Sequence, residues 1–579
     1  MTPTRAKSIR FRILVVGLVF VSGFGVIGGK ALLLQIYQGS WLSQKASGQV
    51  EDSLHAVGKR GMIFDRRGRE MAVSIDATSI AVRPTQVRDP EAVVRELSGI
   101  FKMPAAELKK KLAAEKPFVW LKRLATPKEV EAVRQRRLPG VEFVAESKRF
   151  YPNRTLGAHV LGFTGMDGKG MEGIEFFHDG YLRGTGTSVR ILKDAYGNGF
   201  QSEPPPDEEG AGKNLVLTID QTVQFVAETA IGEAVESTRA RSGMALVMEP
   251  ATGAILALAL APTFNPNARE DQKKALWRNR AVTDPFEPGS TLKIFVAAAA
   301  LEHTQLSPKT TFNCENGAYK IGKYTVHDVH RYGVLSLQDI IRFSSNIGAA
   351  KIGEKVGPER LHQTLRLFGF GQRTGIDSPA ETAGLLMPPK RWADIDTAAI
   401  SFGHGIAVSA VQLVAAVSAI ANDGVLMRPR LVQAVTDRQG QIVQQFPPEE
   451  VHRAVSVQTA RTVRDIMQTV MLPGGTGVSA SLEGYTACGK TGTARKVNES
   501  GQYTNDRHVA SFVGFAPSEK PQIAVLIVID EPKGQIYGGA VAAPVFRKIA
   551  QATLNYLNVP PRTGAAKLRV SVDGRGGRG

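Results

Sequence analysis

The sequence predicts a multidomain α+β protein: a single N-terminal transmembrane helix, a mixed α/β pedestal, and a C-terminal domain of one antiparallel sheet with helices. Three observations predict it. An uncharged, mostly apolar run, Ile13–Gly29, follows four basic residues near the start of the chain. A polar stretch at 197–214, with prolines at 204–206, breaks both helix and strand periodicity and reads as a linker. After it, strand patterns stand at both ends of a long unit with helical patterns between them, which calls for one antiparallel sheet plus a helical subdomain.

The chain has 579 residues, enough for two to four domains with substantial cores. Its formal net charge of +18 suits an anionic surrounding, such as a phospholipid surface or an acidic wall polymer. Nucleic acid is the competing partner for so basic a chain. No zinc-finger spacing and no aromatic-basic block supports it, so no nucleic acid is expected. The two cysteines, Cys314 and Cys488, are too few for a disulfide scaffold and are expected to be unpaired and non-catalytic.

Taken in order, residues 1–12 form a cytoplasmic basic tail carrying Arg5, Lys7, Arg10 and Arg12. Residues 13–36 form the anchor: seventeen residues to Gly29 are short for a bilayer, but Lys30 can snorkel and Ala31–Ile36 extend the span. No A-x-A-like cleavage site follows, so the segment reads as an uncleaved signal anchor with everything beyond it exported. Residues 37–56 read as a polar helical stalk. The Asp65–Gly68 turn joins two apolar runs as a hairpin with a basic tip. Residues 90–136 alternate charged and apolar at helical spacing, as a small mixed subdomain would. Leu215–Asp220 reads as a strand, Thr222–Glu236 as a helix, and Ala245–Ala259 as a hairpin around Pro250–Gly253. Val509–Phe515 and Ile523–Ile529 read as strands, and Pro544 leads a closing helix to about Asn558. Residues 559–579, rich in glycine and arginine, read as a disordered tail.

Chemistry concentrates in three patterns. Pro288-Gly289 breaks the chain, and from Ser290 onward the residues are apolar helix formers, a buried helix beginning at a serine. Lys293 follows three residues later on the same face. A hydroxyl beside an amine is a nucleophile beside a base, provided burial lowers the amine's pKa from about 10.4 by roughly 3 units. Taken alone, a helix-capping serine and a snorkelling lysine look the same. Ser344-Ser345-Asn346 follows an amphipathic segment with a capping pair at Ser336 and Asp339, and Lys490-Thr491-Gly492-Thr493 lies further on, in an alternating region.

The set S-x-x-K, S-x-N, K-T-G in this order resembles the signature of penicillin-binding proteins and serine β-lactamases. Gly58–Ala72, Arg149–Pro152, Ala158–Gly165 and Gly170–Glu175 resemble blocks of the non-catalytic module of class B penicillin-binding proteins. Lys490–Lys496, Ala510–Pro517, Asp530–Lys533 and Tyr537–Phe546 are most similar to the division-specific branch of that class, the FtsI type. The resemblance implies an elongated pedestal at 37–212 and a transpeptidase domain with a five-stranded antiparallel sheet at 213–558. It implies D,D-transpeptidation of stem peptides ending D-Ala-D-Ala, with an amine acceptor, no metal and no cofactor. It further implies trapping by β-lactams and partnership with a SEDS-family glycan polymerase of FtsW type and other divisome membrane proteins at the septal inner membrane.

By the same resemblance, Ser290 is the nucleophile and Lys293 the base, Ser344 relays a proton between Lys293 and Lys490, and Asn346 holds Lys293 and a substrate carbonyl. Lys490 supplies fixed positive charge to a terminal carboxylate, Thr491 and Thr493 offer it hydroxyls, and Gly492 lets an extended peptide approach. The backbone N–H groups of Ser290 and Thr493 form the oxyanion hole. Elongation and sporulation paralogues, a β-lactamase, a carboxypeptidase and a catalytically silent divisome scaffold are the rival readings. His327-Asp328-Val-His330 has metal-ligand types, but a lone cluster without a clear further ligand is a poor site. Ser401–Gly405, ahead of Gln412, looks like the family's glycine-rich segment facing the cleft.

Overall fold

The structure is a computed structural model that describes residues 3–38, 51–56, 59–116, 118–184, 187–193, 199–201, 211–268, 273–498, 500 and 502–562. The fold separates into two units by its internal contacts: Met1–Lys59 with Gly184–Ala211, and Arg60–Arg183 with Gly212–Gly579.

In the first unit, the helix Pro3–Leu32 runs into a π-turn at Leu33–Tyr37, and Phe11–Tyr37 is long and apolar enough to cross a membrane. Between Arg12 and Lys30 the helix is uncharged and mostly apolar on every side, the composition of a helix that is buried or spans a membrane. The stalk reading of 37–56 is corrected in its second half. Glu51–Ala56 is a strand, paired antiparallel with Thr187–Lys193, which in turn pairs with Gly199–Gln201. Pairing with a strand distant in sequence overrides the weak local preference of a polar hexapeptide. The linker reading of 197–214 is likewise cut short, because Gly199–Gln201 and Asn214 belong to strands. The proline run and residues 39–50 lie outside the described residues, as does the tail from 563 onward.

Two large sheets dominate the second unit, beside four two-stranded ones among the described residues. The first has seven strands, in the order Ile442–Gln445, Val432–Thr436, Asn214–Leu217, Ile63–Phe64, Glu70–Val82, with Val119–Ala125 and Val141–Phe150 both pairing the last. It takes strands from both sides of residue 212, so the hairpin Ile63–Val82 and the strand Asn214–Leu217 share one ladder, parallel at Leu215 opposite Ile63. The second sheet has five strands, all antiparallel: Ile255–Ala261, Ser242–Met248, Ile523–Asp530, Tyr503–Ala516 and Cys488–Val497. Its inner strands read Ala-Leu-Val-Met and Ile-Ala-Val-Leu-Ile-Val-Ile and are buried throughout, because helices cover both faces. Gln221–Ser237 and Ala543–Tyr556 pack on one face, and Ala410–Ala421, buried at every residue, packs on the other beside Lys293–His303.

A buried ion-pair network ties the segments around the first sheet together. Glu175, fully buried, receives Arg60 Nε at 2.6 Å and Arg149 Nε at 2.6 Å, with Tyr151 OH at 3.2 Å. Arg60 also reaches Asp179 at 2.5 Å and the Glu175 carbonyl at 2.6 Å. Three sequence blocks therefore meet in one carboxylate, which gives Glu175 a structural task. Asp65 closes the hairpin turn by accepting the backbone N–H groups of Arg67 and Arg69, each at 2.8 Å.

Removing one member of a buried pair strands the charge of the others. Glu175→Ala is expected to lower unfolding free energy by about 3–5 kcal/mol, read as an earlier urea transition. Met171→Ala, at an exposed position nearby, should stay within about 0.5 kcal/mol of the parent.

Candidate active site

The five-stranded sheet ends in the edge strand Cys488–Val497. Side chains alternate along a strand, so Lys490 and Gly492 share one face. Onto that strand packs a 3-10 turn, Gly289–Leu292, that feeds the helix Lys293–His303. Ser290 is therefore on a tighter turn than the first α-helical turn expected for it. The seating needs glycine on both sides. A Cβ on Gly492 would lie 2.3 Å from Ser511 Oγ, 2.9 Å from Thr291 Cγ2 and 3.0 Å from the Pro288 carbonyl. A Cβ on Gly403 would lie 2.0 Å from the Gly289 carbonyl, and Gly289 N donates to Gly403 O at 3.2 Å. The bare space at Gly492 thus admits the Ser290 turn, where an approaching peptide was expected to use it. Ser401–Gly405 adjoins the same turn from the other side.

The third segment is the break between the helices Leu337–Phe343 and Asn346–Val356. Ser344 adopts φ +66 there, a left-handed conformation uncommon for a residue with a side chain. Lys293 and Lys490, both fully buried, reach it from opposite elements. Lys293 Nζ donates to the Ser344 carbonyl at 2.6 Å and to Asn346 Oδ1 at 2.7 Å, and lies 3.3 Å from Ser344 Oγ. Lys490 Nζ donates to Ser344 Oγ at 2.9 Å and to the Thr491 carbonyl at 3.1 Å. One hydroxyl bridges two amines.

Electrostatics follow from that burial. Removal from water pushes the Lys293 amine down to about 7, against an opposing pull from the Asp328 carboxylate. Burial, reinforced by the neighbouring Lys293, holds Lys490 well below the ordinary lysine range. Its surroundings thus disfavour the fixed positive charge expected of Lys490. Two of the Lys293 N–H bonds go to oxygens that only accept, so a neutral amine there keeps its lone pair for a hydroxyl.

Ser290 is half-buried, and among the described residues its Oγ makes no hydrogen bond, to Lys293 or any other group. As the second residue of a 3-10 turn, its N–H has no partner within that turn. The other expected oxyanion donor, Thr493, lies on the strand this turn packs against, with the Gly289 Cβ direction 2.9 Å from the Thr493 carbonyl. Thr491 Oγ1 bonds Thr476 Oγ1 at 3.0 Å, and Thr493 Oγ1 accepts Gly538 N at 3.2 Å. Asn346 Nδ2 donates to the His327 carbonyl at 3.0 Å.

Asp328, which the sequence offers only within a weak metal-ligand pattern, has a different task. It accepts Ser345 Oγ at 2.6 Å, Ile347 N at 3.1 Å and the Asn346 N–H, so it pins the helix that carries Asn346. Only the pairing of distant segments reveals it. His404 is pushed down to about 4 by burial and by the charges of Lys293 and Arg495. Cys314 and Cys488 are buried free thiols.

A family model for the penicillin-binding protein transpeptidase domain matches residues 243–551, and one for the penicillin-binding protein dimerisation domain matches residues 55–217. The chain belongs to the class B penicillin-binding proteins. It is 36% identical over 546 residues to the probable peptidoglycan D,D-transpeptidase PenA of Neisseria meningitidis, covering 93% of this chain and 91% of that protein. It is 35% identical over 510 residues to the peptidoglycan D,D-transpeptidase FtsI of Escherichia coli strain K12, covering 87% and 84%. The crystal structure of penicillin-binding protein 3 from Mycobacterium tuberculosis complexed with aztreonam matches with a TM-score of 0.69 at 29% identity, covering 89% of this chain and 99% of that one. The fold is thus the transpeptidase fold of this class, preceded by its dimerisation domain.

The neutral form of Lys293 prevails above pH about 7 and falls about tenfold for each pH unit below it. The rate of acylation by a penicillin, measured from pH 5 to 9, is expected to climb through neutrality and then level off; a flat profile would contradict it. Gly492→Ala should slow that acylation about 100-fold by displacing the Ser290 turn, with an unchanged circular dichroism spectrum; a parental rate would show the close approach to be dispensable.

Proposed function

We propose that this chain is a membrane-anchored peptidoglycan D,D-transpeptidase that cross-links stem peptides through a serine acyl-enzyme, and that it serves septal wall synthesis. The observation that carries the mechanism is the Ser344 hydroxyl held between two buried lysine amines, beside the turn that presents Ser290.

The neutral Lys293 amine takes the Ser290 proton as Oγ attacks the penultimate D-Ala carbonyl. Small movements on substrate binding bring Oγ to the amine, as often happens between free and bound enzymes. Negative charge on the tetrahedral oxygen goes to the N–H groups of Ser290 and Thr493. Ser344 passes a proton to the departing D-Ala amine. An amine from a neighbouring strand then attacks the ester and frees Ser290. Lys490 offers positive charge to the substrate carboxylate, with Thr491 and Thr493 beside it, and Asn346 keeps Lys293 in line. A β-lactam follows the same first step, but its leaving amine stays tethered and the ester persists.

The domain plan follows: a basic tail at 1–12, an anchor at 13–36 with the N-terminus inside, a pedestal at 37–212, the transpeptidase domain at 213–558, and a basic tail at 559–579. The similarity to FtsI supports the divisional role and a partnership with an FtsW-type glycan polymerase through anchor and pedestal.

Membranes carrying the full chain, treated with a fluorescent penicillin, are expected to show a labelled band that persists after washing and is absent in Ser290→Ala. Rapid loss of label would indicate a β-lactamase, and label surviving in Ser290→Ala would remove Ser290 as nucleophile.

A further inference from the structure

Away from the Ser290 site, the tip of the hairpin Ile63–Val82 faces a cleft of about 220 Å³, lined by Arg66, Thr218, Glu249, Arg430, Gln433 and Gln445 among others. Arg66 N is fixed to the Ile219 carbonyl at 2.9 Å, which sets the tip against this wall. Its guanidinium makes no hydrogen bond among the described residues: Nη1 is buried without a partner, and Nη2 stands 3.7 Å from Glu249 Oε1. Arg430 binds the Phe446 carbonyl through Nη1 at 2.6 Å and the Thr252 carbonyl through Nε at 3.4 Å, and its Nη2 makes no hydrogen bond among the described residues. Glu249 Oε2 is engaged by the Thr252 hydroxyl. Both guanidinium groups line the cleft with donors left over, and the one side-chain carboxylate in its lining, Glu249, is partly occupied. Burial lowers the Arg430 pKa, the Glu249 and Asp377 carboxylates oppose the fall, and Arg66 adds to it.

Arginine carries five donors in a planar fork that fits oxyanions, and a buried donor without an acceptor is costly. We propose that this cleft is a binding site for a small oxyanion, a carboxylate or phosphate group, gripped jointly by Arg66 and Arg430. The bound anion joins the hairpin tip to the Thr218, Glu249 and Arg430 wall, and so links the two halves of the seven-stranded sheet's surroundings. None of its residues belongs to the Ser344 cluster, so occupancy and acylation are separable.

The test is thermal unfolding of the detergent-solubilised full chain, titrated with sodium phosphate or sodium acetate against sodium chloride at constant ionic strength. A saturable rise of roughly 2–4 °C is expected with at least one of the two oxyanions and not with chloride. Arg66→Gln and Arg430→Gln should each abolish it while keeping penicillin labelling, which certifies the fold. A response to phosphate alone assigns a phosphate group, and to acetate alone a carboxylate. No response beyond chloride in the parent, or an equal response in a labelled variant, overturns the proposal.

Discussion

Everything at the site depends on burying two lysine amines without a carboxylate to neutralise them directly. Lys293 and Lys490 are both removed from water, and they share the hydroxyl of Ser344 between them. Desolvation favours the neutral amine. Lowering Lys293 to about 7 corresponds to about 5 kcal/mol of differential interaction between its two protonation states. The fold supplies that energy through packing, and in return holds a base of useful strength beside a hydroxyl at neutral pH.

Several features of the architecture serve this arrangement. The edge strand brings Lys490 in from the sheet, and the buried helix Lys293–His303 brings Lys293 in from the helical subdomain. Gly492 and Gly403 let the Ser290 turn settle between strand and loop at distances that no side chain would allow. Asp328 pins the start of the helix bearing Asn346, and lies close enough to temper the fall in the Lys293 pKa. Farther off, the Arg60–Glu175–Arg149 network locks the segments next to the hairpin, and the hairpin shares a sheet with Asn214–Leu217. Ile63–Phe64 and Leu215–Val216 are continuous through backbone hydrogen bonds.

Much of this was legible in the sequence. S-x-x-K, S-x-N and K-T-G are short local patterns whose chemistry requires those residue types, and their joint order is informative where each alone is ambiguous. Hydrophobic runs such as Ile523–Ile529 and the hairpin around Pro250–Gly253 were read from periodicity and turn residues, and both occur. What stayed hidden depends on distant pairing. Glu51–Ala56 is polar and short, and only its partner Thr187–Lys193 makes it a strand. Asp328 stands in the sequence only as part of a weak metal-ligand pattern, and its role depends on Ser345 and Asn346 lying beside it. Gly492 looked like room for a ligand, but its Cβ direction points into the protein. The lowered pKa of Lys490 comes from burial, of which sequence carries no measure.

Burial, tempered by Asp328, leaves Lys293 a base near neutrality. Titrating the amine by NMR, with labelled lysine and Lys293→Arg for assignment, measures this directly. A midpoint near 7 is predicted. A midpoint near the ordinary lysine value of about 10.4 would contradict the account.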